Sequence, residues 1–213
     1  MLSEVVKQTN DVKIDTVIKN LEKRGIKAQK ADSAAEALAL ALKFVKPGDV
    51  VAFGGSASVN EIGLKEEVDK LDVRVFDHGR AKSPEEAEAA RTGALGSDVY
   101  FMSSNAVTID GVLMNIDGTG NRVAALCYGP KQVVIIIGAN KITADEDSAL
   151  KRIKTDACSA NAVRLGRKTP CALTGKCGDC MNPDATLCSM ILTTRFCYTN
   201  RLNVIMVNEN LGF

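Results

Sequence analysis

The chain has 213 residues, 27 basic and 26 acidic side chains for a net charge of +1, and a composition that is 46% hydrophobic but only 4% aromatic, without tryptophan. This charge balance leaves no electrostatic footprint for nucleic acid or an anionic membrane surface, and no apolar run approaches the ~20 residues that cross a bilayer. The length suits one α/β domain over 1–213 with a core of Val, Ile, Leu and Ala.

The N-terminal stretch MLSEVVKQTNDVK lacks the apolar core of a signal peptide, so a cytoplasmic location is expected. Residues 12–24 carry Ile14, Val17, Ile18 and Leu21 at helical spacing, and Gly25 closes an N-terminal helical segment over 1–25. Residues 26–31 read as a short strand. Ser33 and Glu36 form a capping box before a helix to about Val45. A buried-type strand at 50–53 runs into the small-residue loop GGSAS. A helix with an interruption at Gly63 follows over 59–71, then a strand at 73–77. Ser83-Pro84-Glu85-Glu86 starts a helix that ends near Gly96, and 99–103 is the next strand.

Residues 104–122 contain the turn dipeptides Asp110-Gly111 and Asp117-Gly118 between short β-type runs, so a hairpin is expected, then a bend into a helix over 121–126. The run QVVIII at 132–137 reads as a central strand buried on both faces. A long helix over 145–165 sets Leu150, Ile153, Ala157 and Asn161 on one face. Strands at 190–196 and 204–207 close the chain. Alternating strands and helices over 26–165 imply a three-layer α/β sandwich with a mostly parallel sheet. In such sheets ligands bind at the carboxyl ends of strands, where the polar segments 54–58, 103–105 and 138–141 fall.

Seven cysteines are many for a reducing compartment, where clustered thiols more often bind metal than pair. Four of them, Cys171, Cys177, Cys180 and Cys188, have the spacing C-x5-C-x2-C-x7-C in a loop over 166–189 that is rich in Gly, Asn, Asp, Thr and Lys. Four soft thiolates suit a [4Fe–4S] cluster; a zinc ion would be satisfied by the same set, and redox disulfides are a further alternative. The spacing departs from paired zinc knuckles, and Arg164, Arg167, Lys168 and Lys176 suit a negatively charged cluster. Cys127, Cys158 and Cys197 are expected in or near the core, with Cys158 or Cys197 able to replace one ligand.

Among the polar segments, Gly54, Gly55, Ser56 and Ser58 offer backbone N–H groups for a phosphate or carboxylate, although a plain strand–helix turn would use the same residues. Glu61, one turn on, is a candidate general base or an exposed helical carboxylate. Ser104, Asn105, Asp110, Asp117, Gly120, Asn121 and Arg122 form the densest polar stretch. Asp110 and Asp117 each precede Gly, so turn chemistry competes with a functional role, and Asn121 is a helix-cap candidate. Arg122 opposes the dipole at a helix start and so calls for an anionic partner: Asp110, Asp117 or a substrate. Asn140 and Lys141 leave the central strand, where a lysine can meet an anionic ligand or simply be solvated. Glu61, Asp110 and Arg122 are the catalytic candidates; the others are candidate substrate contacts. His78, the only histidine, reads as a surface or loop residue, with proton transfer as the alternative its position leaves open.

The segments FGGSASVNEIG, SNAVTIDGVLMNIDGTGNRVAAL, GPKQVVIIIGANKI and NAVRL together resemble the LUD domain, the lactate-utilisation protein C-like family. That resemblance implies the fold shared by ribose-5-phosphate isomerase, glucosamine-phosphate deaminase (NagB) and CoA transferases. It also implies an iron–sulfur cluster in cysteine-rich members, and iron–sulfur or flavin redox partner proteins. The functions expected on that basis are an iron–sulfur enzyme acting on a hydroxy acid such as lactate or on a sugar phosphate, a non-catalytic electron-transfer or scaffold subunit of a lactate-oxidising complex, or a zinc-stabilised isomerase or hydrolase. A homo-oligomer is compatible with each.

Overall fold

The computed structural model describes residues 3–181 and 187–213. In chain order the elements are α1 (Glu4–Lys23), β1 (Lys27–Ala31), α2 (Ala34–Leu42), β2 (Val50–Phe53), α3 (Ala57–Glu61), α4 (Leu64–Val68), β3 (Arg74–Asp77), α5 (Pro84–Ala94), β4 (Val99–Met102), β5 (Ala106–Thr108), β6 (Leu113–Asp117), α6 (Asn121–Cys127), β7 (Gln132–Gly138), β8 (Ile142–Thr143), α7 (Glu146–Arg152), α8 (Cys158–Arg164), α9 (Pro170–Thr174), β9 (Met190–Thr194) and β10 (Leu202–Val207).

Six strands form a parallel sheet in the order β1-β10-β7-β4-β2-β3. The strand β7 shows why its sequence is apolar throughout. Val133, Ile135 and Ile137 enter one core with α1 and α6, while Val134 and Ile136 enter the opposite core with α2, α3 and α4. Burying each such side chain contributes ~1.5–3 kcal/mol. The chain leaves β2 towards β3 on one side and leaves β4 towards β7 on the other. Adjacent strands whose connections diverge in this way open a crevice at their carboxyl ends.

The expectation of one sheet is too simple. A second, mixed sheet has the order β8-β5-β6-β9, with β6 antiparallel to both β5 and β9. The hairpin turns at Gly111, which has φ +81° and whose missing Cβ would lie 2.8 Å from the Asn20 backbone of α1. The final strand pair therefore divides, β9 going to the small sheet and β10 to the large one.

The small sheet packs α7, α8 and the cysteine loop in a third core of Val112, Met114, Ile153, Ala162, Cys158 and Cys171, with Cys177, Leu187 and Cys188 against it. The loop is thus part of the packing and not a mere appendage. Part of it forms α9, with Pro170 at its first position and left-handed Gly175 closing it. Residues 182–186 of the expected metal loop lie outside the described residues. The helix expected over 145–165 is broken by a π-turn (Ile153–Ala157) that widens the backbone just before Cys158. Cys158 and Cys197 are buried as expected, whereas Cys127 is exposed because it ends α6 on the solvent side.

Candidate active site

A cavity of about 210 Å³ opens at the carboxyl ends of β2, β4 and β7. The loop after β2 supplies Gly55 and Ser56, β4 leads to Ser103, Ser104 and Asn105, and Lys141 follows β7. Asp117, Asn121 and Arg122 close a further side, and Cys158, Asn161, Arg164, Leu187 and Cys188 form the opposite wall. Three polar segments far apart in sequence meet because their strands are neighbours.

Arg122 has found its anion. Its Nε donates to Asp117 Oδ2 at 3.1 Å, Nη1 to Ser103 O and Asn115 Oδ1 at 3.0 and 3.3 Å, and Nη2 to Asn105 Oδ1 and Ile116 O at 2.8 and 2.6 Å. An arginine has five N–H donors, and these five acceptors use them all. Arg122 is therefore a brace that fixes Asn105 and Asp117, while its charge still faces the cavity. Asp117 Oδ1 also accepts from Gly120 N at 3.0 Å, which forms the bend into α6. Gly120, not Asn121, occupies the cap position of that helix. Asn105 Oδ1 accepts from Ile116 N as well, so the side-chain NH2 is the part of Asn105 left for the cavity.

Lys141 is the most unusual cation of the site. It is 3% exposed, and its Nζ lies 2.8 Å from Ser58 Oγ and 3.0 Å from Ser103 Oγ. Among the described residues no carboxylate forms an ion pair with it. Burial, with Arg152 and Arg122 nearby and only Glu61 opposing, pushes its pKa down to about 7. His78 sits beside Gly55, and burial reinforced by Arg91 holds it below its usual range, in the neutral form.

Several sequence candidates lie elsewhere. Asp110 is on a separate shallow depression with Arg24 and Asp145, and its carbonyl accepts from Arg24 Nε at 2.6 Å. Glu61 accepts from Gly212 N at 2.6 Å, and Asn140 bonds both Leu211 N and Gly212 O, at 3.1 and 3.2 Å. These two side chains fasten the strap 208–213, which brings Phe213 to the cavity wall. Gly54 is behind the wall, where a Cβ would crowd Tyr100 and Arg122. Ser58 acts through Lys141. Sequence reasoning missed Arg152, whose Nε and Nη1 bond Asn140 O and Asn105 O at 3.0 and 2.6 Å and so tie two strand ends together. It missed Lys154 too, which pairs with Asp179 at 2.7 Å beside the cysteines. Neither has a motif; each is one basic residue on a helix.

A second, smaller cavity of about 120 Å³ adjoins the first and is lined by Cys158, Cys171, Cys177, Cys180 and Cys188. Cys158, Cys188, Leu187 and Ile116 line both cavities. The Cys158 and Cys188 sulfurs are 3.5 Å apart, and the hydrogen bond between them pushes the Cys188 thiol down and the Cys158 thiol up. Cys171 Sγ lies 3.1 Å from Thr169 Oγ1 and 3.8 Å from Cys158 O. Among the described residues, no three His, Cys, Asp or Glu side chains converge as the ligands of a single bound ion. The donor set of five thiols around one enclosed space nevertheless has the soft chemistry that an iron–sulfur cluster needs. Cys197 is apart from them, with its sulfur 3.3 Å from Thr199 Oγ1 in the core beside α1, so of the two alternative ligands only Cys158 is within the group. Gly118, in the wall of the first cavity, packs on Leu187, which lines both: a Cβ there would be 2.7 Å from Leu187 O, and Ser189 N donates to Asp117 O at 2.9 Å.

A sequence profile of the LUD domain matches residues 14–207. The chain belongs to the LUD domain family. The match spans every strand of both sheets in this LUD domain. A crystal structure of a DUF162 family protein from Deinococcus radiodurans is similar over 93% of this chain and 98% of that one, with a TM-score of 0.53 and 14% identity, a likeness that establishes the fold alone. The eIF2B delta subunit from Chaetomium thermophilum is more distant, with a TM-score of 0.36 and 17% identity over 66% of this chain and 54% of that one, and carries no argument about this LUD domain. No curated protein sequence matches it. Among the described residues, no helix is long and apolar enough to cross a membrane.

Proposed function

We propose that this LUD-family protein is an iron–sulfur enzyme acting on a small anionic metabolite, a hydroxy acid such as lactate or a sugar phosphate, bound in the cavity at the strand ends. The observation that carries this reading is the wall common to the two cavities. Cys158 and Cys188 line the polar cavity and the cysteine cavity together, so a group held by the thiols would border a bound metabolite. Cys171, Cys177, Cys180 and Cys188 would hold a [4Fe–4S] cluster, with Cys158 as the neighbouring fifth thiol. Such a cluster supplies one-electron chemistry or, with one ligand released, a Lewis-acid position.

The chain's own residues have separable tasks in this reading. Arg164 and the Asn105 amide attract and orient a carboxylate or phosphate, and Lys141 faces the bound molecule across the cavity. Arg122 holds Asn105 and Asp117 in position without itself leaving its acceptors. Neutral His78 is available to accept a proton at the mouth of the loop after β2. A scaffold or electron-transfer subunit would give no reason for a buried lysine with no carboxylate partner facing an open cavity. Zinc remains the second reading, because 3.5 Å between the Cys158 and Cys188 sulfurs is close to the ~3.8 Å edge of a tetrahedron of thiolates at 2.3 Å from zinc.

Anaerobic purification followed by metal analysis and electron paramagnetic resonance separates these readings. Brown protein with about four iron per chain supports the cluster, and colourless protein with one zinc overturns it. Titration of that protein with L-lactate and with ribose 5-phosphate, followed by NMR of the ligand, tests the cavity. The expected result is saturable binding that weakens in Arg164→Ala.

A further inference from the structure

The geometry points to Lys141 as a nucleophilic amine that captures the carbonyl carbon of a small acid, either a 2-oxo acid or the open-chain form of a sugar phosphate, as a Schiff base. This deepens the proposed function and rests on its reading of the cavity as the metabolite site.

The hydrogen-bond directions around Nζ are fixed. Ser58 Oγ donates its proton to Leu211 O at 3.1 Å, and Ser103 Oγ donates to Ser104 O at 3.2 Å. Both hydroxyls can then only accept from Lys141, at 2.8 and 3.0 Å. A neutral amine has two N–H donors and one lone pair, and the two serines take the donors. Protonation would replace the lone pair with a third N–H, for which the described residues supply no acceptor. Its only acceptor is water in the cavity, which a bound carbonyl compound displaces, so the charged form is disfavoured there.

The surrounding charges act in the same direction. Arg122 from α6 and Arg152 from α7 oppose a third positive charge, while Glu61 from α3 is committed to Gly212 N at 2.6 Å. Asp117 is paired with Arg122 at 3.1 Å, and His78 across the cavity is neutral. The remaining valence of Nζ is therefore a lone pair, on a residue that lines a cavity of about 210 Å³. A lysine desolvated next to other cations is an activated nucleophile.

The step is balanced without an oxidant or reductant. The Nζ lone pair adds to the carbonyl carbon, and the C=O π pair moves to oxygen. The proton shed by nitrogen balances the one taken up by oxygen, giving a carbinolamine. Its hydroxyl then leaves as water while the C=N bond forms, so one amine and one carbonyl give one imine and one water.

The test is reductive trapping on the full chain as purified anaerobically. The protein is incubated with sodium cyanoborohydride and pyruvate, and in a second arm with ribose 5-phosphate, and peptides are mapped by mass spectrometry. Modification confined to Lys141, by the mass of a carboxyethyl group in the pyruvate arm, with a rate half-maximal near pH 7, supports the inference; the arm that saturates at the lower concentration identifies the carbonyl source. Lys141→Met and Lys141→Arg should both lose the adduct. Adducts spread over surface lysines, or none above a lactate control, overturn it. If lactate binds and nothing is trapped, the Schiff base is wrong and the cavity reading stands; if neither occurs, both fall.

Discussion

The two halves of the site differ in what holds them together. At the Lys141 end the protein itself fixes the functional side chains: Arg122 by five acceptors, Lys141 by two serines, the Asn105 oxygen by Arg122 and Ile116 N, and the Asn140 amide by Leu211 N and Gly212 O. That end rests on strands whose both faces are buried. At the cysteine end, among the described residues, the loop's backbone bonds to the rest of the fold are few, chiefly Cys177 N to Lys154 O and Ser189 N to Asp117 O at 2.8 and 2.9 Å. The first end is preorganised, and preorganised dipoles serve binding and catalysis without reorganisation. The second draws its order from packed thiols, a wall that a bound metal would complete.

The largest expected effect breaks the cysteine end alone. Cys180→Ala should reduce iron from about four per chain to nearly none and lower the thermal midpoint. Hydrogen exchange in β7 should be unchanged. Chelation of the wild-type protein should reproduce this. If removing metal instead unfolds the six-stranded sheet, the contrast between the two ends is wrong.

Arg122→Ala is the corresponding blow at the other end. It removes the charge partner of Asp117 Oδ2 and the donor to the buried Asn115 side-chain oxygen, and leaves Asn105 Oδ1 with Ile116 N alone; removing one partner of such a pair costs ~3–5 kcal/mol. Denaturant unfolding should report that loss with metal content unchanged. Arg122→Lys should recover little, since one ammonium cannot serve five acceptors.

Lys141→Met reads out a cost that the fold carries for function. The folded pKa of about 7 lies below the ordinary 10.5, so between those values the unfolded chain binds more protons than the folded one. Wild-type stability should therefore rise as pH climbs from 7 towards 10.5, by roughly 3–5 kcal/mol at one unit per ~1.4 kcal/mol. In Lys141→Met this rise should vanish, leaving the variant more stable than wild type at pH 6. Urea midpoints across that range check it. A lysine that stayed charged in the fold would give parallel curves.

How much of this was legible follows from what each signal reads. Periodicity exposed the parallel sheet, because QVVIII can only be buried on both sides, and it put the polar segments at the strand ends. It could not reveal that β9 leaves for a second sheet, since pairing partners are a long-range choice. The cysteine spacing drew attention to four thiols, but Cys158 joins them from a helix whose π-turn has no local sequence mark. Arg122 was rightly expected to need an anion. That Asp117 satisfies it, and that Asp110 lies elsewhere, depends on which way a three-residue strand turns.

The smallest effect tests the joint between the two ends. Gly118→Ala puts a Cβ 2.7 Å from Leu187 O, a backbone atom that cannot rotate away, so the 187–189 segment must shift. The expected cost is ~1–3 kcal/mol, in the range of overpacking. The consequence should be asymmetric. Cys188 moves with its neighbour, so the electron paramagnetic resonance line shape or the metal content should change. Lys141 is anchored to Ser58 on α3 and to Ser103 just after β4, both away from this segment, so trapping at Lys141 should keep its rate and its pH midpoint. If the rate at Lys141 falls in step with the metal signal, the two ends are one cooperative unit, and the common wall formed by Cys158 and Cys188 couples them.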